Sequence, residues 1–484
     1  MPRRVVWVAP GTGGVDGETL QRGVAAIQAE LEVTPRFPDQ VLAEAEESVR
    51  QPRLPSTDRT DLPFVTIDPP GAMDLDQALH IERHGSGFRV LYAIADVAAF
   101  VRPGGAVDEE ANRRGETLYG VDQKVPLHPP VISEDACSLL PGGDRPAVLW
   151  TMDVDDTGEG TDVRVERAMV RSRAKLTYEE VQREVDAGTA DEVFGLLREV
   201  GERRLARERD RGGVSLPLPD QEVSCEDGHW RLGFREARPV EDWNAHISLL
   251  TGMAAAHLMT SNGTGLLRTL TPADPRDVAR LKRVARGLHV EWPDRMDYPD
   301  FIRSLDPTRA DHAAMLNAST VLLRGSGYLA FRGEAPEGAE HSALASEYSH
   351  VTAPLRRLVD RYAGEICLAH SSGAEVPDWV IERMDDLPAT MRDSSRRANA
   401  YERSILDLVE AAVLRDSVGQ TFEGMVVQVD QKTPQRGEIV LAEPAVEAPI
   451  SSADDEPLPL GSDVTATLVE ADVEKRTVRF ELGG

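Results

Sequence analysis

The chain has 484 residues, more than one ordinary domain needs, and its length suggests two to four domains with a sizeable buried core. Its formal net charge of −29 opposes a phosphate-rich partner on the outer surface, and admits one only if arginines line an interior channel while acids lie outside and at a metal site. The three cysteines, Cys137, Cys225 and Cys367, are far apart, which excludes a disulfide framework and a CxxC zinc site and fits a reducing compartment.

After Met1-Pro2-Arg3-Arg4 too few apolar residues follow for a signal-peptide core, and no run of ~18 uncharged apolar residues is present to span a membrane. A soluble cytoplasmic chain is expected. Residues 17–31 and 39–50 carry apolar side chains at helical spacing, and the Pro-rich run 51–63 reads as a linker. Residues 1–60 are therefore expected to form a small helical domain, of a size that suits a helix-turn-helix.

From Phe64 the pattern turns to strands. Residues 64–67 lead into an acidic loop, residues 88–96 are a nearly continuous apolar run, and residues 148–154 and 162–172 flank the turn 155–160 as a hairpin. Thr177-Tyr178-Glu179-Glu180 has capping-box spacing and opens a helical region. Further helices are expected over 241–261, 275–286, 310–323, 355–369 and 391–416. Short strands over 422–429, 437–441, 463–469 and 477–482 then suggest a small all-β barrel. The expected architecture is α/β in residues 61–417, closed by a β-barrel over 418–484.

Three carboxylates, Asp68, Asp74 and Asp76, fall within nine residues of the loop Ile67-Asp68-Pro69-Pro70-Gly71-Ala72-Met73-Asp74-Leu75-Asp76-Gln77-Ala78. Such a cluster repels itself unless a cation compensates, and oxygen ligands select hard ions such as Mg²⁺ or Mn²⁺. The plainer alternative is a solvated acidic turn. In Tyr348-Ser349-His350-Val351-Thr352-Ala353-Pro354-Leu355-Arg356-Arg357, Thr352 suits a helix N-cap. Arg356 and Arg357 would then lie in a first turn able to hold a phosphate. The alternative there is an arginine paired with Asp360. Basic residues are almost all arginine, which matches phosphate bidentately, but a GC-rich genome produces the same bias.

These two segments, with Ala93-Ile94-Ala95-Asp96 and Asp135-Ala136-Cys137-Ser138-Leu139 between them, occur in an order that resembles the RNB catalytic domain of the ribonuclease II and ribonuclease R family. The resemblance covers residues 61–415, and residues 419–484 resemble the RNA-binding OB-fold that closes these enzymes. It implies a 3′-to-5′ exoribonuclease acting processively on single-stranded RNA as a monomer, with Mg²⁺ (or Mn²⁺) and no nucleotide cofactor. Asp68, Asp74, Asp76 and Gln77 match the metal-site positions; Asp74, Asp76 and Arg356 match the catalytic ones. Tyr119, Tyr348, Thr352, Arg357 and Glu402 would contact RNA, Tyr119 by stacking worth ~1–3 kcal/mol per base. Two metal ions about 4 Å apart would activate water and stabilise the leaving 3′ oxygen.

The sequence departs from the family at four places. Gln77 replaces a fourth aspartate, Ala353 replaces a serine, Leu250 and Thr251 stand where a Glu pair is usual, and residues 1–60 are too short for two cold-shock barrels. The C-terminal 64 residues also carry 13 acidic against 5 basic side chains, which predicts a weak grip on RNA. These departures leave a second reading, a catalytically silent RNB scaffold that binds RNA or a protein.

Overall fold

The computed structural model describes residues 7–8, 17–120, 123–218, 220–226, 229–235, 237–307, 309–430 and 432–483. The expectations for Met1 to Arg4 and for the Cys225 side chain lie outside them, while Cys137 and Cys367 are buried, free thiols. Strands Phe64–Asp68, Gln77–His84, Gly87–Ala95, Asp144–Val154 and Gly160–Thr177 close a barrel in chain order. Its neighbours are antiparallel except for the closing pair, where Phe64–Asp68 runs parallel to Gly160–Thr177. The apolar strand Gly87–Ala95 is paired on both sides and buried along nearly all its length, which accounts for its unbroken hydrophobicity. At the expected hairpin turn, Asp155 Oδ1 accepts from the backbone N–H of Thr157 and Glu159 at 2.9 Å, an Asx-type turn.

The capping box at Thr177 is formed: its Oγ1 accepts from Glu180 N at 3.2 Å, and Glu180 Oε2 accepts from Thr177 N at 2.8 Å. Helices Pro239–Asn262 and Leu358–Ser372 pack on the last strand of the barrel and on each other, and helix Leu387–Leu414 packs on Leu358–Ser372 and on the C-terminal strands. The C-terminal strands Thr421–Val429, Arg436–Leu441, Val446–Ser452, Asp463–Asp472 and Thr477–Leu482 close a second five-stranded barrel. The third of these is not marked by the sequence pattern, since the Pro449 within it weakens a strand assignment. In the structure Pro449 lies opposite Glu438, while Val446, Ala448 and Ile450 face the core. Phe422 packs edge-on against buried Phe480 at 5.8 Å, as core.

The two helices within residues 17–50 join cores formed with the rest of the chain. Helix Gly17–Glu30 buries Leu20, Val24 and Ile27 in one core with helix Leu387–Leu414 and the second barrel. Helix Asp39–Arg50 joins the core of the first barrel through Val41 and Ala45 and packs on helix Ala106–Arg114. The two apolar faces thus seek different partners, which is not how a helix-turn-helix packs. The Pro-rich linker is pinned as well, with Arg53 Nη2 donating to Val101 O at 2.8 Å and Arg59 N to Met169 O at 2.9 Å. Because Ile27 is fully buried, Ile27→Ala should cost about 2–5 kcal/mol in urea unfolding. An unchanged midpoint would mean that this helix is not part of the core.

Candidate active site

The acidic loop joins two neighbouring strands of the first barrel: Asp68 ends one and Gln77 begins the next. Left-handed Gly71 turns it (φ 81°), and Leu75, fully buried, anchors it. Ser138 clamps its tip, with Oγ donating to Met73 O at 2.6 Å and accepting from Leu75 N at 2.9 Å. Lys175 Nζ donates to Ala72 O from the opposite side. The Asp135–Leu139 segment is therefore the brace of the carboxylate loop, which its sequence order alone does not reveal. With Leu75 turned inward, Asp74 and Asp76 are presented on either side of it.

The second segment meets this loop side chain to backbone. Asp76 Oδ1 accepts from Leu355 N at 2.8 Å, and Asp76 Oδ2 lies 3.5 Å from Arg356 Nε. Gln77 Nε2 donates to Thr352 O at 2.5 Å. An aspartate at 77 could not donate there, so the amide has a positioning task that the usual carboxylate lacks.

The helix after this segment starts at Leu358, not at Thr352, so neither arginine lies in its first turn. Asp360 holds the preceding turn open, accepting from Ala353 N at 2.7 Å, and Pro354 disfavours helical dihedrals at Ala353. Arg356 is thus oriented by Asp76 rather than by a helix dipole. Arg357 makes a bidentate pair with buried Asp360 at 2.8 and 2.9 Å, which commits its guanidinium to the fold rather than to a ligand.

The remaining residues separate into near and far. Tyr119, on the short strand Leu118–Tyr119, is close enough to Arg356, Asp74 and Asp76 to interact with their charges. Burial pushes its phenol up to about 12, with Arg356 opposing. Tyr348 is buried, its ring edge-on to His341 and His350, and Gly252 lies so close beneath that any side chain there would collide. Thr352 is buried and contributes its carbonyl. Glu402 is buried on helix Leu387–Leu414 beside Tyr401, which covers Gly120. Leu250 and Thr251 belong to the core: Thr251 Oγ1 donates to Ile247 O at 2.9 Å.

Two residues escaped the sequence reading. Lys124 Nζ lies 2.7 Å from Asp74 Oδ1 and 3.0 Å from Glu134 Oε1. The available signal was rarity: Lys124 and Lys175 are two of only five lysines in the chain, and both touch this loop.

Burial, then Asp74, pushes the Asp68 carboxyl up to about 7; burial pushes Asp76 up to about 8 against Arg356 and the Leu355 N–H. Among the described residues no three His, Cys, Asp or Glu side chains converge as a ready metal cage. The donors are nevertheless all oxygen, and Asp68 and Asp76 resist ionisation for want of a sufficient counter-charge, which fits a hard divalent cation completed by water and substrate oxygens. Raised folded values mean that the stability these carboxyls give is full below about pH 4, the unfolded value, and lost as pH rises through about 7 to 8. In EDTA, Asp76→Asn should therefore raise the thermal midpoint at pH 8.5, with the gain shrinking toward pH 4. A gain independent of pH would show that Asp76 is ionised throughout.

Comparison with known proteins adds the following. The family profile described as "RNB domain" matches residues 56–369, and that described as "RNase II-type exonuclease C-terminal S1 domain" matches residues 420–483. The chain is 28% identical over 419 residues to Ribonuclease R of Escherichia coli (strain K12), covering 81% of this chain and 51% of that protein. With Ribonuclease R of Aquifex aeolicus it shares 26% over 385 residues, covering 75% and 53%. The chain spans about half the length of the curated relatives it matches. Among solved structures, Mycoplasma genitalium RNase R in complex with ribose-methylated single-stranded RNA superposes with a TM-score of 0.84 at 18% identity, covering 96% of this chain and 78% of that one. Yeast Ssd1, described as a pseudonuclease, superposes at 0.69 with 15% identity, covering 94% and 57%. At these identities the structures establish the shared fold.

Proposed function

The chain belongs to the RNB-domain family, and from that membership we propose that it is an exoribonuclease that shortens single-stranded RNA from the 3′ end, releasing nucleoside 5′-monophosphates processively. The observation that carries this reading is Asp76, buried and held between the Leu355 N–H and Arg356, with Asp74 close enough to act on it and on Asp68. The names and titles of the relatives support RNA as the substrate: the curated ones are called Ribonuclease R, and RNase R of M. genitalium was solved with single- and with double-stranded RNA.

In this reading water attacks the last phosphodiester in line and the 3′ oxygen leaves. Arg356, some 36% exposed, can turn its outer guanidinium nitrogens to the non-bridging oxygens while Asp76 steadies Nε. Tyr119 would stack on a terminal base, and the Gln77 amide would keep the Thr352 turn, and so Arg356, in register with the carboxylates. A Mg²⁺ ion held by Asp68 and Asp76, with Asp74 adjacent and Mn²⁺ as a substitute, would supply Lewis-acid activation of water and phosphate. Glu402, Tyr348 and Thr352 act behind this surface, as supports. No helix among the described residues is long and apolar enough to cross a membrane, and we place the enzyme in the cytoplasm as a monomer.

The silent-scaffold reading draws on Gln77, which removes a charge from the loop, and on the pseudonuclease among its structural neighbours. Incubation with 5′-labelled single-stranded RNA and Mg²⁺, with EDTA and DNA controls, distinguishes the two. The enzyme should yield one short labelled product only with RNA and metal. Asp76→Asn should abolish cleavage while leaving RNA binding within about twofold, and Arg356→Ala should lower kcat by about 10²–10³. Intact RNA under both Mg²⁺ and Mn²⁺, with binding retained, would establish the scaffold instead.

A further inference from the structure

We propose that Lys124 is a built-in cation of this site, filling the Asp74 side of the carboxylate cluster so that the chain takes up one divalent ion rather than two; the proposal rests on the nuclease reading of the same residues. Lys124 begins the strand Lys124–Val125, whose register sets it directly opposite Tyr119. Its ammonium bridges Asp74 Oδ1 at 2.7 Å and Glu134 Oε1 at 3.0 Å, with the lysine side chain only 25% exposed and Asp74 only 15%. Glu134 lies on the turn Ile132–Ala136, just ahead of the loop clamp Ser138, so both carboxylates that hold the ammonium are fixed on one braced unit.

The balance of charge points the same way. With every carboxylate ionised, as cation binding requires, Asp68, Asp74, Asp76 and Glu134 contribute four negative charges, and Lys124, Lys175 and Arg356 three positive ones. One divalent ion and one RNA phosphate bring this set to neutrality. A second divalent ion would leave two surplus positive charges in a site shielded from water. Gln77 adds no charge, and its amide is already turned to the Thr352 carbonyl. Magnesium is commonly held by one or two carboxylates plus water and substrate phosphate, so a single ion does not need Asp74, which Lys124 already engages.

The test counts bound Mn²⁺ by the loss of the free-ion EPR signal during titration of the RNA-free protein. The unsubstituted chain and Lys124→Arg should each bind one ion, and Lys124→Met should bind two, with far-UV circular dichroism unchanged. Two ions in the unsubstituted chain would overturn the proposal whatever the variants do, as would a single ion in folded Lys124→Met. No ion in any of them would overturn both this proposal and the metal-dependent reading. One ion bound but no cleavage of single-stranded RNA would count against the nuclease reading while leaving the count intact.

Discussion

A single buried carboxylate ties the two halves of the site together. Asp76 accepts a hydrogen bond from Leu355 N, 279 residues away in sequence, and faces the adjacent Arg356, and the neighbouring Gln77 repeats the stitch at Thr352. Taking a carboxylate out of water is costly, and here one N–H and one guanidinium offset only part of the cost, since the Asp76 carboxyl still rises to about 8. That residual imbalance is what a bound cation would relieve. A fully satisfied Asp76 would make a stabler fold and a poorer metal ligand.

Around this point the chain uses its arginines mainly on itself. Arg357 is committed to Asp360, Arg361 to buried Asp108 at 2.5 Å, and Arg167 bridges Asp96 to Glu365 between the barrel and helix Leu358–Ser372. The guanidinium fork suits such bidentate internal pairs as well as it suits phosphate. Arginine richness in this chain is therefore largely a structural device. Arg356 differs because Asp76 engages it only at Nε, through a longer contact, and leaves its outer nitrogens available.

The peripheral elements act on the site by fixing its frame. Helix Gly17–Glu30, helix Leu387–Leu414 and the second barrel share one core, and a further core joins that barrel to helices Pro275–Gly287 and Ala310–Ser319. Arg476 on the barrel pairs with Glu30 at 2.6 Å. The barrel is thus packed into the body of the molecule on two sides.

Much of this was legible in one dimension. Periodicity located the apolar strand at 87–95, the capping box at Thr177 and most of the long helices, because each depends on neighbours within a few residues. The spacing of Asp68, Asp74 and Asp76 singled out this loop for the same reason: nine residues crowd its charges together. What the sequence left open were choices between partners far apart along the chain. Spacing alone, without the family resemblance, could not tell which of Arg356 and Arg357 would pair with Asp360 and which with Asp76, because the path of the backbone decides. Nor could it bring Lys124 to Asp74, assign Ser138 as a clamp, or send the two N-terminal helices to different cores. Ion pairs and buried contacts form wherever the fold brings groups within a few ångströms, and only the closing of the barrel and the packing of the helices on it fixed those distances.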